Sequence, residues 1–270
     1  MKSNQVVLVT GASSGLGLAT ATLLQEKGYR VFGTSRNPSK ATSPPKFEML
    51  VLDVNSDDSV NACVERLLEK SGGKLDVLVN NAGFGLVGGI EETKLEEARL
   101  ALETDFWGCV RMVKAVLPAM RKQRSGRIIN IGSMETVIPV PFHGYYVAAK
   151  FALEGFSEVL RQEVKSLGIQ VSIVKPSMFK TNALNAGRIT TNKILDYDGM
   201  RERVRASFRK RAEAGEDPIL FAELVMRIIE TAKPRLHYSV GRRKYFVTLR
   251  KKLPESKYEN MLRKRYNLDG

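Results

Sequence analysis

The strongest constraint in this sequence is a rhythm. Across its first 175 residues, short apolar runs alternate with helical patterns. Gln5 to Thr10 (QVVLVT), Tyr29 to Gly33, Phe47 to Leu52, Leu75 to Val79, Arg127 to Ile131 and Ile169 to Val174 read as six strands. They are nearly continuous apolar runs, the pattern of strands covered on both faces. Helices are expected from about Leu16 to Lys27, Ser56 to Ser71, Leu102 to Arg121 and Tyr145 to Leu167, the last ended by Gly168. In the second of these, Val60, Val64, Leu67 and Leu68 share a face, and Asp57 and Asp58 suit the positive end of the helix dipole. The fold class that follows is α/β, with a parallel sheet between two helical layers. A chain of 270 residues is enough for one large domain with a substantial core.

After Pro176 the rhythm breaks. Residues 177–200 read as a polar connection, and connections this long are often lids or binding loops. We expect a lid over 177–215, helices over 201–213 and 218–231, a seventh strand at His237 to Val240 and a basic tail over 242–270. Residues 37–46, with three prolines, read as a loop.

Composition narrows the class. Two cysteines, Cys63 and Cys109, are too few for a disulfide framework and read as buried thiols in a reducing compartment. With two histidines, His143 and His237, they leave no zinc site. The start MKSNQ has no signal-peptide pattern, and no apolar run is long enough to span a membrane. The expected location is cytoplasmic, with a peripheral membrane contact left open by the charge. That charge is +14 and uneven: residues 1–200 carry 24 basic and 20 acidic residues, residues 201–270 carry 19 and 9. Between Arg242 and Arg265, ten basic residues face two acidic ones. Such a tail could lie on an anionic membrane or form a terminal helix beside a pocket, with its arginines in solvent. No nucleic-acid recognition motif accompanies it.

The first strand runs directly into Thr10-Gly11-Ala12-Ser13-Ser14-Gly15-Leu16-Gly17, which opens the first helix. Gly11 permits a tight turn, Gly15 lets backbone approach a phosphate, and Gly17 lets helix and strand pack closely. The helix N-terminus then offers free N–H groups to a pyrophosphate. No Lys-Ser/Thr pair follows, so this is not a Walker A loop. At the end of the second strand, where an NAD site usually places a carboxylate, the sequence reads Gly33-Thr34-Ser35-Arg36. Arg36 could grip a 2'-phosphate and Ser35 add a hydroxyl, which points to NADP. Asp53 could accept from the adenine amino group, or cap the following helix.

Three further motifs follow in order: Asn80-Asn81-Ala82-Gly83 after the fourth strand, Ser133 after the fifth, and Tyr146-x-x-x-Lys150 at a helix start. With the glycine turn, this set resembles the short-chain dehydrogenase/reductase family, and within it the NADP-preferring hydroxysteroid and retinol types. The resemblance runs from about residue 5 to residue 181. It implies a single Rossmann-like, three-layer domain with a seven-stranded parallel sheet. It implies a cofactor cleft formed by Gly11, Ser13, Ser14, Gly15, Leu16 and Gly17, by Ser35 and Arg36, and by Asp53 and Val54. Asn81, Ala82, Gly83, Tyr146, Lys150, Pro176, Met178 and Thr181 complete it. Catalysis would rest on Tyr146, with Lys150 and Ser133 in support, and self-association on helices 102–121 and 145–167. Two departures matter. Asp105 stands where the family often has Asn, in Asp105-x-x-Gly108; its charge could raise the Lys150 pKa and weaken the lysine's field. Ser177 replaces the glycine of Pro-Gly.

The chemistry follows from spacing and pKa. Tyr146 and Lys150, four apart, share a helix face. A nearby ammonium lowers a phenol's pKa from about 10. The phenol can then exchange a proton with the substrate oxygen as hydride moves, and Ser133 would hold that oxygen. Tyr145 points elsewhere. The substrate side reads apolar: Pro139, Val140, Pro141, Phe142 and His143, with Phe84, Leu86, Val87, Met178, Phe179 and Leu184. The expected substrate contacts are Ser133, Val140, Phe142, His143, Tyr146 and Phe179. No cluster of arginines marks a phosphorylated or sugar-acid substrate. The expected activity is NADP(H)-dependent hydride exchange with an apolar alcohol or ketone of steroid, retinoid or long-chain type. The rival is a non-catalytic NADP(H)-binding or scaffold protein, for which Asp105 is the best support.

Overall fold

A computed structural model describes residues 4–38, 46–181 and 187–269. In chain order the first half runs β1 (Val6–Val9), α1 (Gly15–Glu26), β2 (Arg30–Ser35), β3 (Glu48–Val51), α2 (Asp57–Ser71), β4 (Val77–Asn80), β5 (Leu86–Val87), α3 (Leu95–Leu102) and α4 (Gly108–Gln123). The second half runs β6 (Gly126–Ile131), α5 (Gly144–Val164), β7 (Ile169–Pro176), β8 (Arg188–Ile189), α6 (Asp198–Glu213), α7 (Ile219–Glu230), β9 (His237–Val240), α8 (Phe246–Lys252) and α9 (Glu255–Tyr266). The six expected strands and the seventh at His237 are present. Seven strands form one sheet in the order β3-β2-β1-β4-β6-β7-β9, and every pairing is parallel.

The unbroken apolar strands have the expected cause. Val6 and Leu8 of β1 face a core shared with Val60 and Val64 of α2, Val116 of α4 and Leu160 of α5. Val7 and Val9 face the opposite core, with Leu24 of α1 and Phe221, Val225 and Ile228 of α7. Successive side chains of a strand alternate faces, so a strand covered on both sides must be apolar throughout. Strand order reverses between β1 and β4. The connections leave the carboxyl ends of these two strands toward opposite faces, and in such sheets ligands bind in the crevice between them.

Three parts differ from expectation. The helix read over 102–121 begins earlier, at Leu95, and is interrupted by a π-helical turn over Glu103–Trp107. Periodicity does not reveal a one-turn bulge, which is commonest at functional sites. The connection after β7 is partly structured: Arg188–Ile189 pairs with Leu86–Val87 as a separate two-stranded parallel sheet. The basic tail forms two docked helices, the helical one of its two readings, but Arg243 lines the cavity where the arginines were expected in solvent. Phe246, Tyr258 and Tyr266 are buried, and Phe246 packs with Met134, Val137 and Ile138 beside the β6–α5 loop. Tyr258 donates its hydroxyl to the Val137 carbonyl.

A buried charge cluster holds this second half to the first. Arg201 of α6, 3% exposed, meets Glu92, 1% exposed, and also pairs with Asp198. The Glu92 carboxylate accepts the Ile194 N–H at 2.8 Å and the Gly89 N–H at 3.0 Å. Glu92 therefore ties the β5–α3 loop to the segment that leads into α6. Arg201→Ala would leave that carboxylate buried without its cation, and urea denaturation is expected to show a loss of about 3–5 kcal/mol. A loss below about 1 kcal/mol would mean that the cluster does not hold the two halves together.

Candidate functional site

The crevice between β1 and β4 is held by one threonine and one asparagine. Thr10 Oγ1 accepts the N–H groups of Asn81 and Ala82, each at 2.9 Å. The Asn81 amide donates to the carbonyls of Thr10 at 2.9 Å and Gly11 at 3.2 Å. The glycine turn is thus fixed to the loop after β4. Gly11 and Gly15 have φ of +66° and +56°, the left-handed region that favours glycine. A Cβ on Gly17 would lie 2.3 Å from the Gly11 carbonyl oxygen, so helix and turn touch there as expected.

This arrangement fits a pyrophosphate. Ser14 is the N-cap of α1, its side chain caps nothing, and no acidic residue occupies the first turn. The first N–H groups of α1 are left for an anion. Ser13 lies in the same turn and Leu16 on the adjoining cavity wall. Thr181 reaches back to this turn, with its Cβ 3.4 Å from a Cβ built on Gly15. Arg36 is exposed just past β2, next to Ser35, whose hydroxyl accepts the Asn37 N–H. Asp53 makes a local turn by accepting the Asn55 N–H at 3.1 Å, while Ser56 caps α2. Val54 packs against Gly108, where a Cβ would come within 2.7 Å of it.

The π-turn directs Asp105 inward, where it is fully buried. Its Oδ1 lies 2.9 Å from Lys150 Nζ. Lys150 also donates to the Ile131 carbonyl at 3.2 Å, and Asp105 Oδ2 accepts the Phe84 N–H at 3.4 Å. Gly83 is required beside this pair, since a Cβ there would sit 2.3 Å from Asp105 Oδ1. Burial disfavours the lysine's charge, but Asp105 outweighs it and holds Lys150 protonated, above its ordinary range. Lys150 Nζ lies 5.6 Å from the centre of the Tyr146 ring. The expected lowering of the Tyr146 pKa is not the net result. Burial pushes the phenol up to about 12; Lys150 and a hydrogen bond with Ser133 oppose this, while Glu135 and Asp105 add to it. The lysine's charge is shared with Asp105, so its hold on the phenolate is weakened.

Tyr146 and Ser133 open onto a cavity of about 520 Å³. Val140, Phe142, His143 and Phe179 line it, as do Pro176, Met178 and Thr181 from the cofactor set and Val87. Phe142 has φ +67°, a strained backbone for an aromatic residue, and its carbonyl accepts the Gly88 N–H at 2.7 Å. Pro139, Pro141, Phe84 and Leu86 are not on the wall. Leu184 lies outside the described residues. Tyr145 turns away and donates to the Ile90 carbonyl. Ser177 keeps an ordinary backbone, and its N–H donates to Val240, extending the β7–β9 pairing.

Two features were missed. Glu135, two residues after Ser133, lines the cavity and bonds His143 Nδ1 at 2.9 Å; a carboxylate so close to the reacting serine was a visible signal. The second corrects the expectation that arginines do not cluster at the site. Arg205, Arg209, Arg211 and Arg243 all line the cavity. Their side chains come from α6 and from the turn before α8, and no local pattern announces their convergence.

The comparisons agree with this geometry. The family model for short chain dehydrogenase matches residues 5–191. A 3-ketodihydrosphingosine reductase from Bacteroides thetaiotaomicron is 41% identical over 239 residues, 88% of each chain. Retinol dehydrogenase 8 from Bos taurus is 33% identical over 253 residues, 86% of this chain and 80% of its own. The crystal structure of a short-chain dehydrogenase from Streptomyces avermitilis superposes with a TM-score of 0.81 at 33% identity, covering 97% of this chain and 98% of that one. With its parallel sheet, glycine turn and Ser133, Tyr146 and Lys150 in one crevice, this chain belongs to the short-chain dehydrogenase family, oxidoreductases that act at a hydroxyl or carbonyl carbon.

Proposed function

We propose that this protein is an NADP(H)-dependent reductase of apolar ketones, with long-chain compounds as its first substrate class. The observation that carries the reading is Tyr146 beside Ser133 on the wall of a large, mostly apolar cavity. A phenol with a pKa of about 12 is a proton donor at neutral pH and a poor base. That suits reduction, in which the carbonyl oxygen must gain a proton. The relative named for a ketone-reducing activity supports the same direction.

When bound, the reduced nicotinamide would supply hydride to the carbonyl carbon. Gly11, Ser13, Ser14, Gly15, Leu16 and Gly17 would hold the pyrophosphate on the N–H groups of α1. Asp53 and Val54 would border the adenine, and Asn81, Ala82 and Gly83 the middle of the cleft. Pro176, Met178 and Thr181 would border the nicotinamide end, with Lys150 on its ribose. Ser133 donates a hydrogen bond to the substrate oxygen, and Tyr146 delivers its proton there. Lys150 faces the phenolate that remains, and Asp105 fixes where the ammonium sits. Val140, Phe142, His143 and Phe179 would enclose the apolar part of the substrate.

Arg36 and Ser35, with no carboxylate at the end of β2, support NADP over NAD. Arg36→Ala is expected to raise the KM for NADPH about 10–100-fold, the loss of a charge-assisted contact, and to leave the KM for NADH nearly unchanged. Equal effects on both cofactors would overturn the 2'-phosphate assignment.

The central test follows nicotinamide absorbance with long-chain ketones and the matching alcohols across pH. Reduction uses the phenol and is expected to be level between pH 6 and pH 9. Oxidation uses the phenolate, so its rate is expected to climb about tenfold per pH unit through the same range, still below the Tyr146 pKa. Tyr146→Phe should lower both directions by about 10²–10⁴-fold. An unchanged rate in that variant would sink the mechanism.

Asp105 makes a separate prediction. In Asp105→Asn, Lys150 would no longer share its charge, and one of the two carboxylates that raise the Tyr146 pKa would be gone. The phenol pKa falls, and the pH profile of oxidation moves to lower pH. At pH 8, oxidation is expected to quicken about tenfold for every pH unit that the profile moves. An unmoved profile in folded protein would show that Asp105 does not set the proton chemistry.

A further inference from the structure

The arginines that converge on the cavity carry chemistry that an apolar ketone alone does not use. Arg211 of α6 stacks on the Tyr266 ring at 4.7 Å and donates to the Arg265 carbonyl. Arg265 lies over the rings of Phe246 at 5.2 Å and Tyr266 at 6.0 Å, and its buried Nε has no acceptor. Arg243 lines the cavity, and among the described residues none of these three guanidinium groups is paired with a carboxylate. They are close enough to repel one another. Burial and then Arg265 and Arg211 push Arg243 down from its ordinary range, and burial and then Arg265 do the same to Arg211.

Stacking on aromatic rings accounts for the faces of Arg211 and Arg265; at their edges they meet only neutral acceptors, the Arg265 carbonyl for Arg211 and the Tyr266 hydroxyl for both, and Arg265 Nε meets none. A half-buried guanidinium normally meets an oxyanion at that edge. Of the two carboxylates on the cavity wall, Glu135 is engaged by His143, and Glu213 is exposed and pairs with none of the arginines.

We propose that Arg211 and Arg243 on the cavity wall, with Arg265 close by, form an oxyanion-binding site, so that the ketone reduced here is an amphiphile with an anionic head: a phosphate, sulfonate or carboxylate. This rests on the reductase reading and adds the substrate's polar end to it. The apolar chain lies along the wall of Val140, Phe142 and Phe208, and the head meets the guanidinium edges.

The test uses methyl ketones that end in a carboxylate, CH₃–CO–(CH₂)n–COO⁻, over a range of chain lengths, each with its neutral methyl ester. For one chain length, kcat/KM for the acid should exceed that for the ester by about tenfold or more, the size of one charge-assisted contact. In Arg243→Gln that ratio should collapse toward one, and Arg243→Lys should restore part of it. Thermal melting confirms that the variants fold, and the ratio does not depend on how much active enzyme is present. Decyl phosphate below its micelle concentration should compete with the ketone, with a Ki at least tenfold higher in Arg243→Gln.

The outcomes separate the two readings. Equal turnover of acids and esters, with no inhibition by decyl phosphate, overturns the oxyanion site and leaves the reductase intact. Arg243-dependent binding of decyl phosphate in calorimetry, without reduction of any ketone, supports the site and overturns the reductase. Competition by inorganic phosphate as strong as by decyl phosphate assigns the arginines to a free anion and overturns the substrate-head assignment. Arg243-dependent binding to vesicles containing phosphatidylglycerol, without any response to monomeric decyl phosphate, overturns it in favour of a membrane lipid.

Discussion

Thr10 and Asn81 hold together everything that the site needs. One hydroxyl takes two N–H groups from the β4 loop, and one amide takes two carbonyls from the β1 turn. These four bonds continue the β1–β4 pairing past its last rung, at the point where strand order reverses. They fix the glycine turn relative to the sheet and leave the first N–H groups of α1 unused. The glycines follow from the same contact: Gly17 meets the Gly11 carbonyl and the Asn81 amide, and any side chain there would separate them. Loss of the Thr10 hydroxyl would leave two N–H groups without their acceptor in a partly buried crevice, a cost of about 1–3 kcal/mol per group.

The second constraint is electrostatic. A lysine buried beside a tyrosine is placed to stabilise a phenolate, yet here it meets a fully buried carboxylate first. Asp105 offsets part of the Lys150 charge at Tyr146, but the ammonium remains the stronger of the two there. Burial, the largest effect on the phenol, keeps its proton in place at neutral pH. A departure that reads in the sequence as damage is in the fold a close ion pair with Lys150. The π-turn makes this possible, because it rotates Asp105 into the protein while Gly108 keeps the helix against Val54.

Much of this was legible in the sequence because its causes are local. Continuous apolar strands require cover on both faces, and Val6 to Val9 satisfy that requirement with alternate residues. The glycine turn and Ser133 lie next to strand ends, so a correct strand assignment brings them into one crevice, and the resemblance adds Tyr146 and Lys150 from α5. What stayed hidden depends on contacts between distant segments. The π-turn changes hydrogen bonding without changing residue type. Arg201 reads as one more basic residue on a basic helix until Glu92, 109 positions earlier, closes on it in the interior. Whether the Tyr146 pKa rises or falls depends on burial and on three charged neighbours together, and spacing alone supplies only Lys150.

The division of labour between the two parts of the chain explains why family resemblance reaches the reaction before the substrate. Ser133, Tyr146 and Lys150 lie within residues 5–191, the segment that the family shares. The facing wall of the cavity comes largely from beyond it, from Val204, Phe208 and the arginines of α6 to Arg243 and Tyr266 of the tail. The sheet has to keep its geometry for hydride and proton to move along fixed lines. The wall built by α6 and the tail has no such duty and can change its chemistry freely, provided that Arg201 and the buried aromatics keep it docked. In the proposed reading the substrate's polar end meets the wall where the charge surplus lies, in the last 70 residues, and the uneven net charge belongs to the cavity wall as well as to the surface.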